Sequence, residues 1–99
     1  MNCISYEDFF GNFSNNTKLK IVMALRHKPL SVTDLTALLH EEQSKISHSL
    51  SKLSKCNIIS AKQQGKRRIY SLNRDTVMPM LALVDKHVHN HCKGRCKRC

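Results

Sequence analysis

Apolar residues recur at helical spacing in five stretches of the chain, and the first two lie before residue 29. The first stretch carries four of the five aromatic residues, spaced to lie along one side of a short helix: Tyr6, Phe9, Phe10 and Phe13. The second, NNTKLKIVMALRHKP, predicts a helix that is capped by Asn15 or Asn16 and ends before Pro29. The residues of this helix expected to face a core are Leu19, Val22 and Met23.

Two more helices are predicted, separated by a short turn around His40. The stretch SVTDLTALL places Ser31 and Asp34 in the spacing of a capping box. Its residues expected to be buried are Leu35, Leu38 and Leu39. In EEQSKISHSLSKLSKCN only a narrow stripe is apolar, formed at i, i+4 and i+7 by Ile46, Leu50 and Leu53. Asn57 is predicted to end this helix in the left-handed conformation.

The pattern then changes to that of a β-hairpin in IISAKQQGKRRIYSL, with Gln64 and Gly65 at the tip. The apolar strand positions are Ile59 and Ala61, then Ile69 or Tyr70 with Leu72. The fifth helix, TVMPMLALVDKHVHNH, has an apolar seam of Val77, Leu81, Val84 and Val88, and it tolerates Pro79 only in its first turn. Two helices joined by a short turn and followed by a basic hairpin predict a mainly α fold with a small β-hairpin wing, the winged helix-turn-helix.

The composition indicates what kind of partner the protein binds. The 99 residues, 40% of them hydrophobic, indicate one small domain with a thin core, to which a partner subunit would add buried surface. The net charge of +10 favours an anionic polymer, because lysine and arginine displace counterions from phosphates. Eight basic and no acidic residues occur from Gln43 to Arg74. Since no stretch approaches the roughly 18 apolar residues that span a bilayer, we expect a soluble cytoplasmic protein without a membrane partner.

The fourth helix carries an unusual polar face. Opposite its apolar stripe are short or amide-bearing side chains, namely Gln43, Ser44, Ser47, His48 and Ser51. Such groups hydrogen-bond base edges and phosphates at close range. The face therefore favours reading of double-stranded DNA, and an ordinary polar surface helix is the alternative interpretation.

Four stretches resemble the ArsR/SmtB family of winged-helix repressors: NNTKLKIVMAL, SVTDLTALL, QSKISHSLSKL and GKRRIYSL. The resemblance spans roughly residues 9 to 90 and is strongest in QSKISHSL, which matches the family's DNA-recognition helix. It implies a homodimer built from the first and last helices, which releases DNA when a metal or metalloid ion binds. With the charge pattern, the predicted DNA contacts are Gln43, Ser44, Lys45, Ser47 and His48 on the helix and Lys66, Arg67 and Arg68 in the wing.

The chain departs from this family at two of its ion sites. Ser31 and Thr33 stand where metalloid sensors of the family often carry a cysteine pair. Arg74 and Thr76 stand where many zinc-binding members have ligands near the start of the last helix. An effector site is therefore expected elsewhere.

The C-terminal segment HVHNHCKGRCKRC offers such a place, because it holds three of the five cysteines among basic residues. If the helix ends at Gly94, the chain would wrap three thiolates around one ion, with a histidine as fourth ligand. The candidate ligands are Cys92, Cys96 and Cys99 with His89 or His91. Zinc accepts three sulfurs and one imidazole, whereas As(III) or Cd is suited to the soft thiolates. A disordered basic tail and an iron–sulfur ligand set remain as alternatives.

The two other cysteines have simpler expected roles. Cys56 is predicted to be a small buried apolar residue. Cys3 is expected on a mobile terminus, from which it would reach across a dimer.

These patterns divide the chain into a DNA-binding and dimerisation domain, residues 1–91, and a Cys-rich basic tail, residues 92–99. The predicted function is a transcriptional repressor released from its operator by a thiol-binding ion, with arsenite-like metalloids or cadmium ahead of zinc. The alternatives are a winged-helix protein-interaction module with a structural zinc tail and a DNA-binding regulator without a metal effector. An enzyme is not expected, since the sequence has no paired carboxylates at a plausible site, Gly-rich phosphate loop or nucleophile with an evident base.

Overall fold

The computed structural model describes residues 5–92. Its elements are α1 (Tyr6–Ser14), α2 (Asn16–His27), β1 (Leu30–Ser31), α3 (Val32–Leu39), α4 (Gln43–Lys55), β2 (Ile59–Gln64), β3 (Arg67–Leu72) and α5 (Val77–His87). A π-helical segment, Val88–Cys92, continues α5. The predicted winged helix-turn-helix is confirmed: α3 and α4 form the two helices, and β2 and β3 form the wing. Within the described range, no helix is long and apolar enough to cross a membrane.

Local hydrogen bonds define the helix ends. The side chain of Asn15 accepts a bond from the backbone N–H of Lys18 at 3.0 Å and thus caps α2. Ser31 and Asp34 form the predicted reciprocal capping box at the start of α3, with both bonds at 3.1 Å. Asn57 follows α4 with a φ of 56°, the left-handed conformation expected of it.

The core lies between the helices and the base of the sheet, where Leu30, Ile59 and Leu72 are buried. Its fully buried side chains are Ile21, Val22, Leu35, Ile46, Leu50, Leu53, Ile58 and Val77. The apolar stripe predicted on α4 is therefore confirmed.

The prediction of which α2 residues face the core was wrong in part. Val22 is buried, but Leu19 and Met23 are 39% and 40% exposed, and Leu38 of α3 is 57% exposed. The buried face of α2 centres on Ile21 and Leu25 instead. Since Leu19 and Met23 each lie two residues from Ile21, they are about 200° away around the helix axis. These three exposed side chains line a shallow apolar groove between α2 and α3.

The sheet contains one strand more than the sequence predicted. The wing hairpin pairs Ile59 with Leu72 and Gln64 with Arg67, so its turn is Gly65–Lys66, one residue later than expected. Gly65 has a φ of 62°, which glycine adopts without a steric penalty. The two-residue strand β1 pairs with the other edge of β3 and gives the order β1-β3-β2. It connects the start of α3 to the wing.

The terminal helices leave apolar side chains in solvent. On α5, only the first half of the predicted seam is buried within the protomer, because Val77 and Leu81 are 1% and 7% exposed but Val84 is 47% exposed. Pro79 is the third residue of α5, in the first turn as predicted. The exposed large apolar residues of the two helices are Tyr6, Phe10, Leu83 and Val84, and we call them the terminal-helix apolar face.

Candidate nucleic-acid interface

Helix α4 presents its polar face to solvent because the opposite face is anchored in the core. Its buried residues are Ile46, Ser49, Leu50 and Leu53. The predicted base-contacting residues on this helix are all exposed: Gln43, Ser44, Lys45, Ser47 and His48. A helix of 13 residues is about 20 Å long, and a B-DNA major groove about 12 Å wide admits an α-helix. The structure thus brings these five predicted residues together on one accessible helix.

The three wing cations have different environments. Lys66 lies in the hairpin turn and is exposed. The guanidinium of Arg68 lies over the ring of Tyr70, 5.9 Å from its centroid. Arg67 instead turns towards α3, where its Nη2 donates to the Ser31 hydroxyl and to the Asp34 carboxylate, both at 2.8 Å. Arg67 therefore links the wing to the helix-turn-helix by hydrogen bonds. Its predicted contact with phosphate stays a prediction.

The carboxylate of Asp34 takes part in this contact between the wing and α3. Hydrogen bonds from the backbone and hydroxyl of Ser31, followed by the charge of Arg67, hold the pKa of Asp34 below its usual value. Because the pKa is lower in the folded state, these bonds stabilise the fold above the ordinary carboxyl pKa. That stabilisation is lost as the pH falls through the lowered value.

A positive region also forms where α2 meets α4. Burial, followed by the charge of Lys52, lowers the pKa of Lys18. The two ammonium groups therefore repel each other, and a phosphate placed near them would relieve this repulsion.

The sequence analysis assigned no role to Glu41. Its side chain lies in the turn between α3 and α4, is 16% exposed, and approaches Lys20 at 3.7 Å and Lys45 at 3.4 Å. The hydroxyl of buried Thr17 donates to the same carboxylate at 3.5 Å. The four-residue spacing from Glu41 to Lys45 was the available sequence signal.

The predicted ion site is only partly within the described residues. His89 and His91 lie exposed on the π-helical segment, and the ring of His91 is 4.8 Å from that of His87. Asp85, the nearest carboxylate along the chain, is hydrogen-bonded to Arg26 of α2, which lowers the pKa of Asp85. Among residues 5–92, no group of three His, Cys, Asp or Glu side chains is placed to hold a metal ion. The Cys92 side chain, Cys96, Cys99 and also Cys3 lie outside the described part.

Cys56 differs from its predicted role. It is half-buried at the end of α4 rather than fully buried, and it packs against the core. Its sulfur is disulfide-bonded and also accepts a hydrogen bond from the Asn12 amide at 3.3 Å. The polar contact with α1 explains why this position is not simply apolar.

Comparison with known proteins gives a consistent identification. Residues 15–61, which include the helix-turn-helix, match the family described as "Bacterial regulatory protein, arsR family". A transcriptional repressor SmtB homolog from a Synechocystis species is 28% identical over 81 residues, which are 82% of this chain and 61% of that protein. The HTH-type transcriptional regulator NmtR of Mycobacterium tuberculosis is 35% identical over 65 residues, 66% of this chain and 54% of NmtR. The chain thus spans somewhat over half the length of these curated relatives.

A solved structure supports the same assignment. The transcriptional repressor PagR of Bacillus anthracis superposes with a TM-score of 0.67 at 31% identity, covering 79% of this chain and 93% of PagR. The matching family and the similar proteins are all described as regulators or repressors, which agrees with the prediction of a regulator rather than an enzyme. With the helix-turn-helix and wing described above, these likenesses show that the chain belongs to the ArsR family of bacterial regulatory proteins.

Proposed function

We propose that this protein is a homodimeric, DNA-binding transcriptional repressor. The observation that carries the proposal is the exposed polar face of α4, held by a buried opposite face and followed by a cationic wing. No acidic residue interrupts the chain from Gln43 to Arg74. The regulators and repressors to which the chain is similar support the same function.

In the proposed complex, α4 enters the major groove and each side chain acts according to its chemistry. The amide of Gln43 suits the paired acceptor and donor of adenine, while the hydroxyls of Ser44 and Ser47 accept or donate as the base edge requires. Lys66 at the wing tip engages the flanking phosphates, which position the protein without reading sequence.

Dimerisation follows from the terminal-helix apolar face. Its four large apolar side chains are 47% to 85% exposed in the protomer, and a second copy of the chain would cover them. A twofold dimer would present two α4 helices to half-sites about one helical turn of DNA apart, roughly 34–36 Å. The operator is therefore expected to be an inverted repeat.

The direct test is footprinting of the purified protein on the DNA next to its own coding region, repeated at several salt concentrations. We expect a protected inverted repeat and an affinity that falls with salt, with a log–log slope of about −0.9 for each phosphate neutralised. Absence of a protected site together with salt-insensitive binding would refute the proposed function.

Base reading and phosphate binding are separable by substitution. His48→Ala is expected to reduce discrimination between operator and unrelated DNA by about 1–3 kcal/mol, because it removes a side chain that faces the bases. Lys66→Ala is expected to weaken both DNAs alike and to reduce the salt slope by about 1. Titration of both variants with both DNAs measures the difference. Equal effects of the two variants on discrimination would contradict the assigned roles.

We further propose that a thiol-binding metal or metalloid ion releases the repressor from DNA. The chemistry of the donors supports this, because cysteine thiolates bind soft ions and the exposed imidazoles of His89 and His91 adjoin them along the chain. The proposed ligands are Cys92, Cys96 and Cys99, with His89 or His91 for zinc. Their attachment to α5, part of the proposed dimer face, offers a route from the ion to the spacing of the two α4 helices.

A further inference from the structure

We infer that Glu41 is a specificity-determining residue that weakens binding to non-operator DNA by neutralising cations at the start of α4. The inference rests on the proposed function, since it concerns how the same helix approaches DNA. Glu41 would act through Lys20 and Lys45 rather than by touching a base. It would thus be a positioning residue for these two cations.

The carboxylate has three partners from two helices. One oxygen lies 3.4 Å from the ammonium of Lys45, in the first turn of α4, and the other lies 3.7 Å from that of Lys20 on α2. Thr17, which is 4% exposed, donates to the second oxygen at 3.5 Å. The carboxylate is thereby held between α2 and the start of α4, with a buried hydroxyl on one side.

The two lysines remain accessible while they are paired. The side chain of Glu41 is 16% exposed, whereas those of Lys20 and Lys45 are 45% and 56% exposed. The N-terminal residues of a recognition helix are those that reach base edges in helix-turn-helix proteins. The cluster is therefore expected to lie against the DNA, with one negative charge set against two positive charges.

A carboxylate in this place affects the two kinds of DNA differently. Non-specific binding depends almost wholly on the number of phosphates that lysine and arginine neutralise. A lysine already compensated by Glu41 contributes less to that number, and the carboxylate itself repels phosphate. In the operator complex, base contacts fix the register of α4 and with it the phosphates that lie near Lys20 and Lys45. A non-specific complex has no such register and settles where most cations meet phosphates, so it loses more affinity when these two lysines are compensated. Glu41 would consequently raise the ratio of operator to non-operator affinity.

The test compares Glu41→Gln with Glu42→Gln, which removes the same charge one residue later. Glu42 is exposed, and its side chain makes no capping hydrogen bond to α4. At about 0.15 M salt, Glu41→Gln is expected to bind unrelated DNA about fivefold more tightly, with a salt slope steeper by about 0.9 for the one phosphate gained. Glu42→Gln is expected to change both quantities by less than half as much.

A second measurement does not depend on folding of the Glu41 variant. In the parent protein, Lys45→Gln should reduce the salt slope less than Lys66→Gln does, because Lys45 is already paired. Circular dichroism melting of each variant establishes that it is folded. A purely structural role of Glu41 would move the melting temperature and leave the salt slope unchanged.

The outcomes separate this inference from the proposed function. If the parent shows no salt-dependent binding to DNA, the proposed function fails. Two results would overturn only the role of Glu41 while the parent binds DNA as expected. The first is an equal salt slope for Glu41→Gln and Glu42→Gln. The second is a reduction of the salt slope by Lys45→Gln as large as that caused by Lys66→Gln. A steeper slope confined to Glu41→Gln, with a reduced affinity ratio between operator and unrelated DNA, supports it.

Discussion

Replacing Leu83 by glutamate is expected to convert the proposed dimer into monomers and to lower operator affinity by about 10²–10⁴-fold. Leu83 is 68% exposed on α5, so the change should leave the protomer's own core intact. In a twofold interface the substitution would bury two carboxylates, whose desolvation opposes association. The affinity loss corresponds to the avidity gained when two linked heads bind together. Sedimentation analysis and operator titration measure the two effects.

Leu38→Glu is the matched control for this prediction. Leu38 is another exposed leucine, at 57%, but it lines the groove between α2 and α3, whose lining includes none of the residues of the terminal-helix apolar face. This variant is expected to remain dimeric and to keep its operator affinity. A dimeric, fully active Leu83→Glu variant would show that the subunits associate through another surface.

Replacing the three tail cysteines, Cys92, Cys96 and Cys99, by serine is expected to abolish release of DNA by thiol-binding ions. In the parent protein, arsenite or cadmium should lower operator affinity by about 5–150-fold, the usual range of coupling between two sites. The coupling requires the ion to prefer one dimer geometry, since equal affinity for both would shift nothing. Operator titrations under reducing conditions, with and without each ion, measure the loss. The triple variant should keep the parent's affinity when no ion is added.

A double variant, His89→Ala with His91→Ala, distinguishes the ions. It is expected to weaken the response to zinc, which takes an imidazole as fourth ligand, and to leave the response to arsenite unchanged, since three thiolates suffice. If the ions release the triple serine variant as readily as the parent, or if none releases the parent, the tail is not the effector site. In that case the proposal of DNA binding is unaffected, because the footprinting experiment tests it separately.

The sequence by itself determined the features that depend on residues close together along the chain. The caps at Asn15 and Ser31 involve groups three residues apart, and the stripe of α4 repeats within single helical turns. The presence of the hairpin followed from its apolar strand positions and its glycine, whereas its turn lies one residue later than predicted. The polar face of α4 was predictable for the same reason, since the apolar stripe fixes which side of that helix faces outward.

Only the tertiary structure decided the contacts between distant segments. Arg67 reaches Asp34 across 33 positions, Thr17 reaches Glu41 across 24, and β1 is too short for its pairing with β3 to leave a sequence pattern. The exposure of Leu19 was equally undecided, because an apolar helix residue is buried only if another element covers it. Periodicity specifies which side chains share a face, whereas the packing partner determines which face is covered and which charges meet.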